Sequence, residues 1–140
     1  YVIANIPTFV EKGAYNAVES YKLDPDGTVA TTFTFHKNGF DGPLKTYTPR
    51  GFVRDKESNA VWDMQFLWPF KSEFLIYYLN EDYTRTVIAR SKLDYVWIMA
   101  TRPDIPESDY QALVKQLGSI GYDTGRIQKV PQKWNRDEKQ

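Results

Sequence analysis

The side chains in this chain that can do chemistry are few, and their spacing limits what that chemistry can be. There is one histidine, His36, and no cysteine among 140 residues. A metal site or a histidine-driven triad needs several ligating or proton-moving groups converging, so neither is expected. No Gly-rich phosphate loop and no Gly-x-Ser-x-Gly elbow occurs, which leaves no expected cofactor. What remains is hydrogen-bonding chemistry. Glu19 stands one alternation before Tyr21 in an otherwise apolar register, and Tyr47 and Tyr78 carry further hydroxyls that need partners when buried. Such groups can orient the polar end of a ligand. Equally, Glu19 can be solvated at a rim and the tyrosines can bond one another.

Strands must hold these residues. Ten Tyr, eight Phe and four Trp favour broad, half-buried β surfaces. Residues 28–36 alternate Val29, Thr31, Phe33 and Phe35 against Ala30, Thr32, Thr34 and His36, which is period-two patterning. Similar runs cover residues 1–9, 17–23, 44–54, 60–67, 74–79, 84–91 and 95–100, giving eight strands. Asp24-Pro25-Asp26-Gly27 is a strong turn, and Lys92-Leu93-Asp94 reads as a hairpin connection. Pro49 and Gly51 predict a bend in the fourth strand. Eight strands joined in sequence by short loops form a meander, and closing it removes exposed edges. The period then changes. Tyr110, Leu113, Val114, Leu117 and Ile120 make one apolar stripe on a helix over about 106–120, with Pro106 in its first turn and Gly121 as its stop. A short ninth strand over about 126–130 and a loose polar tail over 131–140 follow.

Size and charge place these elements in one domain, 1–140, with the barrel over 1–102. Eighteen basic and eighteen acidic residues leave no electrostatic footprint for nucleic acid. No window approaches the roughly 18 apolar residues of a membrane helix. A start without Met and inside a strand suggests a processed chain, with any signal peptide or lipid-modified cysteine upstream.

Two motifs resemble those of a known family. Asp82-Tyr83 ahead of an apolar strand is similar to the second conserved motif of the lipocalins, and Arg102 after an aromatic-aliphatic strand is similar to the third. The family's first motif, a Gly-x-Trp, would precede Tyr1. Over residues 1–130 the pattern resembles the branch of bacterial lipocalins, apolipoprotein D and plant temperature-induced lipocalins. The resemblance implies an all-β fold, an eight-stranded antiparallel up-and-down barrel with one C-terminal helix packed outside. It also implies that Asp82, Tyr83 and Arg102 are floor structure rather than an acid-base pair.

If Arg102 points to the floor, then Val96, Ile98 and Ala100 point inward, and the matching register gives an expected ligand-binding set. That set is Glu19, Tyr21, Thr31, Phe33, Tyr47, Trp62, Met64, Phe66, Ile76, Tyr78, Ala89 and Ile98. Ala4, Gly51, Ala89 and Ala100 would leave room in a barrel just wide enough for one small ligand. Packing alone also accounts for Trp62, Met64 and Phe66. By resemblance, the function is storage or transport of a lipophilic molecule, such as a fatty acid or lysophospholipid, by a monomer or homodimer outside the cytoplasm. Bacterial members are commonly outer-membrane lipoproteins. Alternate loops of the meander would form the mouth. There Phe9, Phe40, Trp68 and Phe70, interleaved with Lys12, Lys37, Lys71 and Lys92, suit a membrane interface, and also suit a lid or a dimer contact. Two other readings stand beside the carrier. One is a lipid-modifying enzyme, although the isomerase relatives use a cavity cysteine and the de-epoxidase relatives carry cysteine-rich regions, and this chain has neither. The other is a solid barrel that only binds partner proteins.

Overall fold

A computed structural model describes residues 1–67 and 70–135, without the side chains of Leu67 and Phe70. Ten strands run in chain order: β1 Val2–Ile6, β2 Ala14–Leu23, β3 Val29–Lys37, β4 Leu44–Tyr47, β5 Arg50–Val53, β6 Val61–Leu67, β7 Phe70–Leu79, β8 Arg85–Ala89, β9 Val96–Ala100 and β10 Gln128–Lys129. They form one sheet in the order β10-β1-β9-β8-β7-β6-β5-β3-β2, with β4 also on β3. Every pairing is antiparallel. The expected fourth strand is present in two pieces. Pro49 cannot donate to a ladder, and the break falls at Thr48-Pro49 between β4 and β5.

Helix α1, Glu107–Ser119, buries Tyr110, Leu113 and Leu117 as its stripe requires. Ile120 is the C-cap and is 39% exposed, so the buried stripe ends at Leu117. Gly121 stops the helix with φ +113°, where a Cβ would also stand 2.9 Å from Leu93 Cδ1. The next residue then turns back onto the sheet. The buried Tyr122 hydroxyl accepts from the Arg90 N–H at 2.9 Å and donates to the Tyr95 carbonyl at 2.8 Å, tying the post-helix segment to the β8–β9 hairpin.

The sheet curls until its two ends face one another, and the join is made by the C-terminal segment rather than by a β1–β2 ladder. Asn16 N–H donates to the Pro131 carbonyl at 2.9 Å, and the Asn16 side chain exchanges two hydrogen bonds with the Lys133 backbone. Gln132 Nε2 donates to both Val2 O and Ala17 O, at 2.9 and 3.0 Å, and so bridges β1 to β2 directly. Trp134 packs edge-on to Tyr1 at 5.5 Å. Residues 131–134 are therefore fixed, against the expectation of a loose tail.

Two apolar clusters lie on opposite faces of the same strands. One is the barrel interior: Val2, Ala14, Ala17, Phe33, Phe35, Met64, Phe74, Ile88, Trp97 and Met99. The other lies between the sheet and α1: Ile3, Ala4, Ile6, Val87, Ala89, Val96, Ile98 and Ala100 against Tyr110, Leu113, Leu117 and Tyr122. Register settles which face is which, because directly paired residues share a face. Ile88 pairs with Trp97 and Val87 with Ile98. The expected parity of β8 and β9 is thus reversed: Val87, Ala89, Val96, Ile98 and Ala100 face the helix, as do Ala4 and Ile6. They pack against α1 rather than leaving room inside.

Tyr78 is corrected in the same way. A register shift between Ile76 and Tyr78 puts Tyr78 opposite Val87, on the helix side. Gly51 does face inward, but its open side is already taken: a Cβ there would meet Trp62 at 3.2 Å and Val29 at 3.3 Å.

Candidate functional site

The mouth of the barrel is partly covered by the loop between β1 and β2, whose 3-10 turn Phe9–Glu11 folds inward. Glu11 is only 6% exposed. Its Oε1 accepts from Trp97 Nε1 at 2.8 Å, and its Oε2 accepts from the Thr8 N–H and the Thr8 hydroxyl, both at 2.9 Å. Three donors satisfy this carboxylate without any cation. Beneath it lies a chamber of about 240 Å³ lined by Thr8, Val10, Glu11, Glu19, Phe33, Tyr47, Phe66, Ser72, Phe74, Arg90, Tyr95 and Trp97. Its walls are stacked rings, Phe74 on Trp97 at 4.8 Å and Phe33 on Tyr47 at 6.5 Å, with the fully buried Phe35 packed behind Phe33 and Tyr47. At the rim Arg90 is held by Asp94 through Nε at 2.8 Å and by the Glu73 carbonyl through Nη1 at 3.4 Å, and it leans over the Tyr95 ring.

Glu19 marks the inner end of this chamber. It also lines a second, wider cleft of about 600 Å³ toward the opposite end of the barrel, with Tyr1, Tyr21, Leu79, Tyr83, Thr86 and Met99 on its walls. Tyr21 donates its hydroxyl to Glu19 Oε2 at 2.5 Å. Withdrawal from bulk water pushes the Glu19 carboxyl up to about 7, against the lowering effect of the Tyr21 hydrogen bond, and nearby Glu11 raises it further. Burial and the adjacent Glu19 likewise hold the Tyr21 phenol well above its ordinary range. Tyr21 nonetheless keeps 41% of its surface accessible. That surface faces the cleft, where protein surrounds it on most sides, so desolvation and accessibility coexist.

Four residues of the expected ligand set, Glu19, Phe33, Tyr47 and Phe66, line the mouth chamber, and Tyr21 lines the wider cleft. Thr31, Trp62, Met64 and Ile76 face inward but fill the barrel instead of its cavities. Thr31 Oγ1 lies 3.9 Å from Met64 Sδ, and the Trp62 ring meets Tyr21 edge-on at 6.2 Å. Tyr78, Ala89 and Ile98 lie on the helix side, away from both spaces. Eight chamber residues were absent from the expected set: Thr8, Val10, Glu11, Ser72, Phe74, Arg90, Tyr95 and Trp97. The signal for Arg90, Tyr95 and Trp97 lay in the aromatic alternation Tyr95, Trp97 that follows from the opposite parity. Nothing in sequence marks Glu11 as buried, since it sits between Val10 and Lys12 in a loop.

At the other end, Asp82 Oδ1 accepts from Thr84 Oγ1 at 2.7 Å and Asn80 Nδ2 at 2.7 Å, which holds the corner before β8 and keeps the carboxyl below the usual range. Tyr83 takes φ +57° and is 73% exposed. Arg102 is exposed and has no ion pair among the described residues. On the mouth side Phe9 is 84% exposed. Phe40 is not free, because it packs edge-on against Tyr15 at 5.0 Å. Trp68 and the Phe70 side chain lie outside the described residues.

Residues 1–132 match the family described as Lipocalin-like domain. The chain is 27% identical to temperature-induced lipocalin-1 of Arabidopsis thaliana, over 94% of this chain and 74% of that protein. Among solved structures it superposes on lobster apocrustacyanin A1 with a TM-score of 0.71 at 15% identity, covering 96% of this chain and 76% of that one. The cockroach allergen Per a 4 superposes with a TM-score of 0.67 at 16% identity, covering 95% and 83%. At such identities the structural matches speak for the fold, and the family match spans nearly the whole chain. With a curled antiparallel sheet, an outer C-terminal helix and an apolar inner chamber, this chain belongs to the lipocalin family.

Proposed function

We propose that this lipocalin stores or carries a single-chain lipophilic molecule of the class to which fatty acids and lysophospholipids belong, with the ligand's apolar body in the aromatic chamber. The observation that carries the reading is the chamber itself, walled by Phe33, Tyr47, Phe66, Phe74 and Trp97 beneath the Glu11 lid. Its size sets the ligand's length. At about 30 Å³ per water-sized unit, 240 Å³ holds about eight heavy atoms. Eight methylenes contribute about 6 kcal/mol before ordering costs, whereas micromolar affinity needs about 8 kcal/mol net. A tightly held ligand therefore has a longer chain that runs past Glu19 into the wider cleft.

Membrane exchange is part of the proposal. Phe9 at 84% exposed and Phe66 at 51% exposed share the mouth with Lys12 and Lys71, an arrangement suited to head-group depth in a bilayer. Native mass spectrometry of the purified protein with added single-chain lipid should show one lipid per chain. A mass that never shifts rejects the carrier in favour of a solid barrel. In the same preparation, Phe9→Ser should slow lipid transfer from anionic vesicles several-fold more than it weakens binding of dissolved lipid; equal effects reject the membrane step.

A further inference from the structure

The charges facing the mouth chamber do not balance. Two carboxylates line it, Glu11 from the covering loop and Glu19 from β2, and neither has a cation within ion-pair distance among the described residues. The one cation on its wall, Arg90, comes from the end of β8 and is already neutralised by Asp94 at 2.8 Å. The amino group of Tyr1, which shares the cleft with Glu19 and interacts with it beyond ion-pair distance, is bonded to the Ala100 carbonyl at 2.8 Å. The remaining titratable groups on the walls are the phenols of Tyr47 and Tyr95 on the chamber and of Tyr1, Tyr21 and Tyr83 on the cleft, together with Arg85 on the cleft, which is paired with Asp109 at 2.7 Å. Around the two carboxylates stand the rings of Phe33, Tyr47, Phe74 and Trp97, stacked in the pairs Phe33–Tyr47 and Phe74–Trp97.

From this arrangement we infer that the chamber selects lipophilic amines: a protonated amino group sits between Glu11 and Glu19 against the aromatic wall, and a free carboxylate at the same place is rejected. The inference rests on the carrier reading and narrows its ligand class by head-group charge. Two acceptor carboxylates offer lone pairs to the N–H donors of an ammonium. A carboxylate in their place would add a third negative charge to a space poorly screened by water. Burial raises the ionisation range of Glu19, and a cation bound beside it would lower that range again.

The test is calorimetric titration with decylamine, decanol and decanoate, each below its micellar concentration, at about pH 8. There an alkyl ammonium is protonated and both an alkyl carboxylate and Glu19 are mainly ionised. The amine should bind at least about tenfold more tightly than decanoate, with decanol between. Glu19→Gln, checked for folding by thermal unfolding, should lower the amine-to-alcohol affinity ratio about fivefold or more. Decanoate binding as tightly as decylamine overturns the inference, and so does an amine preference that survives in the folded Gln variant. If that variant does not fold, the three-ligand series on the native protein decides alone. Decanol binding without amine preference leaves the carrier standing and removes only the charge selection, whereas binding of none of the three removes both.

Discussion

Glu19 is a carboxylate that the fold keeps away from bulk water, and its titration should be visible in stability. Its folded-state value is raised from 4.5 to about 7, so between these values the native state holds more protons than the unfolded chain. Stability therefore falls as pH rises through this window. Below about 4.5 the group is protonated in both states and contributes nothing, and above about 7 the full ionisation cost is present. Because Glu19 faces a cleft that admits water, the cost is discounted to about 2 kcal/mol. Denaturant unfolding of the native protein and Glu19→Gln across pH 4 to 8 should show the variant gaining about that much relative to the native protein as pH rises. A constant difference across the range rejects the desolvated placement of Glu19. Glu11, by contrast, was invisible in sequence as a buried residue. Its three hydrogen bonds come from Thr8 and from Trp97, 86 residues away, and only the folded loop brings the last of these to it.

Strands β8 and β9 are buried on both faces, one by the barrel interior and one by α1, and this sets the effect of substitutions along them. Ala89 is 3% exposed in the cluster that includes Leu113 and Leu117 of the helix. Ala89→Trp should push α1 outward and destabilise the fold by about 1–3 kcal/mol through overpacking, without a specific block of the chamber. Ser72 lies on the chamber wall, on the inward face opposite Met64. Ser72→Trp should fill the chamber and abolish binding of a fluorescent fatty alcohol at unchanged strand content. Circular dichroism with a binding titration separates the two. Loss of binding in a stable, well-folded Ala89→Trp protein would reject the helix-side placement. The reversed parity has a simple physical origin. A run such as Val96-Trp97-Ile98-Met99-Ala100 is apolar at every position, so alternation carries no information about which face is inner.

At the scale of the whole molecule, the barrel is closed by its C-terminal segment. Gln132 binds carbonyls on both edges of the join, Val2 and Ala17, and Asn16 pairs with the Lys133 backbone beside it. Gln132→Ala leaves two acceptors without this donor and should cost about 1–3 kcal/mol of unfolding free energy. Hydrogen exchange should show the loss as faster opening of β1 and β2 in particular. Uniform protection across all strands would mean that the segment adds nothing to closure.

The sequence by itself determined the β class, the meander, the single outer helix and the family, because each is written locally. Period-two strands, turn residues at fixed places, the 3.6-residue stripe from Tyr110 to Leu117, and the Asp82-Tyr83 and Arg102 motifs all lie within short windows. The clean alternation of β3 also fixed the inward face of Phe33, and Glu19 and Tyr47 share that face because each pairs with Phe33. Three things waited for the tertiary structure. These were the facing of β8 and β9, the join made by residues 131–134, and the burial of Glu11 over the mouth. Each depends on contacts between residues about 20 to more than 100 positions apart, and local pattern holds no record of such contacts until the sheet curls and brings the partners together.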